Sequence, residues 1–142
     1  MPSERMVHAL QTVRTLIKPG GVLLDIHPGL DKAWVEVRVN GKDYFLDVVQ
    51  ETDDYIEYKQ ASDALGQMVG NGQFAMEETG KFIFIIHADS MEEMRSFLVE
   101  NWKDAILDKS LDDKAREYFS KAADSFEILI REEILITRYK RT

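Results

Sequence analysis

Two short stretches carry the residue types that acid–base or metal chemistry needs. Asp25-Ile26-His27 closes one apolar run, and His87-Ala88-Asp89 closes another. In open α/β sheets, ligands gather beyond the carboxyl ends of strands, where both stretches would fall. Two imidazoles and two carboxylates have the chemistry to ligate a divalent metal or to move protons near neutral pH. Simpler roles compete for each residue. Asp89 is a natural neighbour of a helix cap, Asp25 can hydrogen-bond within its own loop, and His27-Pro28 suits the entry to a turn. His8 sits in a helical stretch and has no chemistry assigned.

Other chemistries are narrowed by what the chain lacks. There is no cysteine, so disulfides, thiolate metal sites and cysteine nucleophiles are excluded. No Gly-x-Ser-x-Gly elbow is present. Asp47, Glu51, Asp53, Asp54 and Glu57 form an acidic run without the spacing or glycine of a calcium loop, and read as a solvated connection. Arg138, Lys140 and Arg141 read as a charged, solvated end of the chain. The net charge of −8 argues against binding to nucleic-acid backbones and to anionic membranes. No apolar run reaches transmembrane length, and no signal-peptide pattern opens the chain, so a cytoplasmic location is expected. With 142 residues, 44% hydrophobic and 31% charged, the chain fits one folded domain over residues 1–142.

The elements that must position these residues follow from periodicity and punctuation. Met6, Leu10, Val13 and Ile17 mark one face of a first helix, with Ser3 as its cap. Lys18-Pro19-Gly20-Gly21 stops it: proline withdraws a donor, and both glycines can take positive φ. Val22 to Ile26 is nearly all apolar, as for a strand covered on both faces. Asn40-Gly41 is a strong hairpin signal within residues 34–49. A two-residue loop there places Val39 opposite Lys42, Val37 opposite Tyr44 and Val35 opposite Leu46, with Glu36 and Arg38 pointing away. A helix follows through Ala61, Ala64, Leu65, Met68 and Val69, ended by Gly70-Asn71-Gly72. Lys81 to Ala88 reads as a strand. Ser90 and Glu93 make a capping box for a helix whose inner face is Met91, Met94, Leu98 and Trp102. Ser110 and Asp113 suggest the start of another, with Ala115, Tyr118, Phe119 and Ala122. Phe126 to Tyr139 is a long strand, apolar on both faces, that belongs in the middle of a sheet.

These motifs resemble the C-terminal half of a class I S-adenosylmethionine-dependent methyltransferase. The resemblance is carried by LIKPGGVLLDIHP at 16–28, HADSMEEMRSFL at 87–98 and EEILITRYKR at 132–141. It implies an α/β (α+β-like) fold, a truncated Rossmann-like half with a small mixed β-sheet, helices packed on it and a β-hairpin extension. The last strand would lie antiparallel between the strands of residues 22–26 and 81–88. Those two would be parallel, which would bring Asp25, His27, His87 and Asp89 to one rim. The hairpin lies outside the family's minimal pattern. So does the absence of a glycine-rich loop after a strand: the one Gly-x-Gly, at Gly70 and Gly72, follows a helix, and Pro19 stands too near the start for such a unit to precede it. No cofactor is therefore expected.

In the resembled fold, the strand at Val22–Ile26 pairs with the missing half. An uncovered edge there would promote association. A homodimer is the expected cover, with Val22, Leu23, Leu24, Ile26, Trp34, Tyr44 and Phe45 as interface candidates; the hairpin folding back onto the strand is the other. The leading expectation is a non-catalytic half domain acting as a homodimer or interaction module. A second is the substrate-side part of a methyltransferase completed by a separate cofactor-binding protein. A third is a small-molecule binder at the rim.

Overall fold

The computed structural model describes residues 3–29, 31–52, 56–120 and 125–142. The expectations for Asp53, Asp54 and Ala122, and for the Ser3 side chain as a cap, lie outside the described residues and side chains. In chain order the elements are α1 (Ser3–Leu16), β1 (Val22–Pro28), β2 (Trp34–Val39), β3 (Lys42–Val48) and β4 (Gln50–Glu51). There follow α2 (Ile56–Gly70), β5 (Phe74–Ala88), α3 (Met91–Asn101), β6 (Ala105–Ile106), α4 (Ser110–Phe119) and β7 (Phe126–Arg141). The architecture is α/β, helices on a small sheet whose registered ladders are antiparallel. The described residues form two compact units: residues 3–29, 56–82 and 134–142, and residues 31–52, 83–120 and 125–133.

In the first unit, β1 runs antiparallel to the end of β7, from Val22 opposite Lys140 to Pro28 opposite Ile134. β5 also pairs with β7, and here Thr137 Oγ1 donates to Thr79 Oγ1 at 3.3 Å. One face of this sheet meets α1 and α2. Leu65, Met68, Phe74 and Tyr139 are buried there, with Val7, Leu10, Ile17, Leu23 and Val69 packed around them. The turn after α1 is locked to the end of β7: Gly20 N–H donates to Arg141 O, and Arg141 N–H donates to Gly21 O. Of the two glycines only Gly20 takes positive φ, at 79°. Gly21 is needed for space instead, since a Cβ there would stand 2.5 Å from Ile17 Cγ2 and 2.8 Å from Lys18 O.

Two expectations fail in this unit. β1 is not covered on both faces: Val22, Leu24 and Ile26 are 49%, 55% and 56% exposed, and Leu23 alone of its leucines packs into the core. A nearly continuous apolar run therefore marks an open face here, not a strand buried on both sides. β5 also begins at Phe74 rather than Lys81. Its polar stretch is held in place from β7, where Arg138 Nε donates to Glu77 at 2.9 Å and Arg138 Nη2 lies 3.5 Å from Glu78.

In the second unit, β2 pairs with β3 through Asn40-Gly41, both at positive φ (50° and 82°), as the turn chemistry requires. The register holds for Val39 opposite Lys42 and Val37 opposite Tyr44, then slips: Val35 faces Asp47, not Leu46. Leu46 is the extra residue of a bulge and turns into the core. The other edge of β2 pairs antiparallel with β7, from Val39 opposite Phe126 to Trp34 opposite Arg131. The hairpin thus docks on β7, and the expectation that it might fold back onto β1 fails. Val35, Val37, Ile128 and Ile130 meet Met94 and Leu98 of α3 and Leu111 and Ala115 of α4. Ser90 Oγ accepts from Glu93 N–H at 3.1 Å, half of the expected capping box, while Glu93 Oε2 accepts from Asp89 N–H. α4 starts at Ser110, as expected, and Asp108 Oδ1 accepts from Ser110 N–H at 3.0 Å. Phe119 is 60% exposed and rests edge-on against Phe126.

Candidate functional site

The alternation of β1 sends Asp25 and His27 to the helix side of the first unit, beside Leu23. His27 Nδ1 lies 3.0 Å from Asp25 Oδ2, and both side chains are about four-fifths buried, at 20% and 22% exposure. The imidazole stacks on Tyr58 with ring centres 6.1 Å apart. The distance suits an ion pair, yet the Nδ1 atom makes no aligned hydrogen bond among the described residues. The alternation of the strand is what sets the two side chains side by side. Across the ladder, Tyr139 has its phenol pushed up, first by burial and then by the charge of Asp25, against a lowering hydrogen bond with Thr137. That tyrosine belongs to the core of the first unit.

His87 and Asp89 belong to the second unit. His87 Nδ1 lies 3.7 Å from Glu127 Oε2, and Asp89 serves the start of α3 through its backbone. Among the described residues, no group of three or more His, Asp or Glu side chains converges on a metal position.

His87 instead stands at the end of a charge network that the sequence did not reveal. Glu36 and Arg38 point away from the core, as expected, and meet Asp43 of β3 and Glu127 and Arg131 of β7. Arg38 Nε donates to Asp43 Oδ1 at 2.7 Å, and Arg131 Nη2 donates to Asp43 Oδ2 at 2.9 Å. Arg131 also pairs with Glu36, whose Oε2 accepts from Trp34 Nε1 at 3.2 Å. The Arg38 hydrogen bond holds the Asp43 carboxyl below the usual carboxylate range, with further help from the charges of Arg38 and Arg131 against some desolvation. The same bond pushes Arg38 up. Beneath the network Leu129, opposite Glu36, has no exposed surface. The clue in the sequence was the odd-numbered charge pair Glu127 and Arg131, flanking an apolar residue on one face of a strand.

The remaining interface candidates divide. Val22, Leu24 and Ile26 are open, and Leu23 is packed. Phe45 is 60% exposed, Trp34 is tied to Glu36, and Tyr44 stacks on Tyr118 at 4.9 Å. The open residues of β1 do not stand alone. Gly80 and Ile136 face the same way, and with Leu24, Glu78, Thr79 and Arg138 they line a shallow cavity of about 220 Å³. No described helix is long and apolar enough to cross a membrane. No protein-family model, curated protein or solved structure matches this chain.

Proposed function

We propose that this chain is a methyltransferase-like half domain that acts as a non-catalytic interaction module and assembles as a homodimer. One observation carries the reading: β1 presents three half-exposed aliphatic side chains on one face. Among the described residues β1 also has a single hydrogen-bonded neighbour, β7. A strand with an apolar open face and a free edge is a template for association, and exposed patches of this kind mark contact sites. The methyltransferase-like part is supported by the arrangement of the first unit. There β1 follows a Lys-Pro-Gly-Gly turn, and β7 pairs with both β1 and β5. The unaligned Asp25–His27 contact speaks for a structural rather than catalytic role. A cytoplasmic setting accords with the lack of cysteine.

The free edge of β1 also favours a second reading, a substrate-side part completed by a separate cofactor-binding chain at that edge. Light scattering behind a sizing column, with S-adenosylmethionine titrated in a parallel melting experiment, separates the two. A dimer mass with an unmoved melting temperature is the expected result. A monomer at high concentration, or a clear ligand-induced rise in melting temperature, would overturn the leading reading.

A further inference from the structure

Asn-Gly occurs twice in the chain, at Asn40-Gly41 and at Asn71-Gly72. The pairing is chemically labile, because glycine has no side chain to shield its amide nitrogen from the neighbouring carboxamide. Exposure does not tell the two copies apart, since all four residues are exposed. Nor does space: no atom outside the neighbouring residues lies within 4 Å of a Cβ placed on either glycine. Hydrogen bonding does separate them. Asn71-Gly72 closes α2, where Asn71 N–H donates to Gln67 O at 2.9 Å and Gly72 N–H donates to Val69 O at 3.0 Å. Gly72 O is held as well, accepting from Thr142 Oγ1. Asn40-Gly41 stands at the tip of the β2–β3 turn, with both residues at positive φ. Asn40 N–H donates to Ser125 O at 3.3 Å, but among the described residues Gly41 N–H donates to no acceptor.

We propose that Asn40 is a site of spontaneous deamidation and that the fold protects Asn71 from the same reaction. The Gly41 nitrogen attacks Asn40 Cγ, and the new N–C bond closes a cyclic imide. The Cγ–Nδ2 bond breaks, and the side-chain nitrogen leaves as ammonia with the proton that the Gly41 amide gives up. Water then opens the imide at either carbonyl, which leaves an aspartyl or an isoaspartyl linkage. No oxidant or reductant is needed. The step does need a nitrogen free to lose its proton and a backbone free to turn toward the side chain. A donated N–H meets neither need until its hydrogen bond breaks. For Gly72 that means unwinding the end of α2, where Gln73 N–H also donates to the carbonyl of the fully buried Met68. For Gly41 it means only the local opening of an exposed loop tip, which lies at the low-stability end of a fold's motions. The isoaspartyl product lengthens the backbone at the tip from which the pairs Val39–Lys42 and Arg38–Asp43 run.

Peptide mapping tests this on the wild-type protein aged in mildly alkaline buffer, folded in one arm and unfolded in urea in the other. Trypsin cuts after Arg38, Lys42, Lys59 and Lys81, so the two asparagines fall on separate peptides, residues 39–42 and 60–81. Chromatography with mass detection resolves the asparaginyl, aspartyl and isoaspartyl forms of each peptide, and circular dichroism confirms that the folded arm stays folded. The expected result is conversion at Asn40 several-fold faster than at Asn71 in the folded arm, with comparable rates in urea. Equal rates in the folded arm, or faster conversion at Asn71, would overturn the assignment. So would an Asn40 that stays intact in the folded protein while the unfolded one converts. A gap between the two sites that urea leaves unchanged would overturn the protective role of the fold.

Discussion

The two units finish the exposed side of their strands in opposite ways. In the second unit, Glu36, Arg38, Asp43, Glu127 and Arg131 lock together, and Leu129, opposite Glu36 in the ladder, is fully buried. In the first, Val22, Leu24 and Ile26 stand half exposed, and the charges present, Arg138 with Glu77 and Glu78, leave the aliphatic row bare. Both solutions solubilise a sheet face in principle, by covering it with paired charge or by covering it with another molecule. Paired charge on an outer face blocks unwanted sheet association, and an aliphatic row invites it. Under the proposed reading, the second unit supports and the first makes contact.

The largest expected effect is on the helix-packed sides, where the units should behave alike. Phe74→Ala in the first unit and Ile128→Ala in the second each remove a fully buried side chain. Chemical denaturation should show losses of about 3–5 and 2–5 kcal/mol respectively. A cost below about 1 kcal/mol for either would mean that unit lacks a well-packed core. Next comes a pair of arginine variants that sharpens the contrast. Arg131→Met strips Glu36 of its cation and leaves Asp43 with Arg38 alone, at a site four-fifths buried, and should cost about 1–3 kcal/mol. Arg138→Met acts on a half-exposed pair and should cost about 0–1 kcal/mol. Equal costs would erase the distinction between the two faces.

The acid limb of stability should likewise trace to the second unit. Asp43 is held below its ordinary range, so its stabilising contribution is complete above about pH 4 and fades as pH falls through the folded value. In urea titrations from neutral to acid pH, Asp43→Asn should be less stable than wild type at neutral pH and lose stability less steeply below pH 4. Parallel curves would remove Asp43 from the acid transition. The smallest effect on stability belongs to the open face. Leu24→Ser should shift monomer stability by no more than about 0.5 kcal/mol, as for an unburied site, while weakening self-association. A multi-kilocalorie loss in the dilute protein would show that Leu24 is packed within the monomer.

What the sequence made legible was whatever chemistry is local. Asn40-Gly41, Ser90 with Glu93, and Pro19-Gly20-Gly21 each act within a few residues, and each turn or cap formed where they stand. What escaped depended on partners far along the chain. Residues 75–80 look like a loop until Arg138 and Thr137 hold Glu77 and Thr79 from some sixty positions away, at separations of 61 and 58. The bulge at Leu46 has no signature beside it, because the slip in register is set where β2 also meets β7. Most consequential was β1. Valine, leucine and isoleucine at 22, 24 and 26 read the same whether covered by this chain or by another, since apolar pattern reports a wish for cover and not its source. Of the candidate site, Asp25 and His27 were found as neighbours, whereas the shallow cavity at Gly80 was missed with the start of β5.

The central claim is that the bare aliphatic row of the first unit is where the molecule meets its copy. A dilution series followed by methyl NMR tests it most directly. The account expects the resonances of Leu24, Ile26 and Ile136 to move with concentration, while those of Val37 and Ile128 in the second core stay fixed. Leu24, Ile26 and Ile136 signals that hold still from dilute to concentrated protein would contradict it.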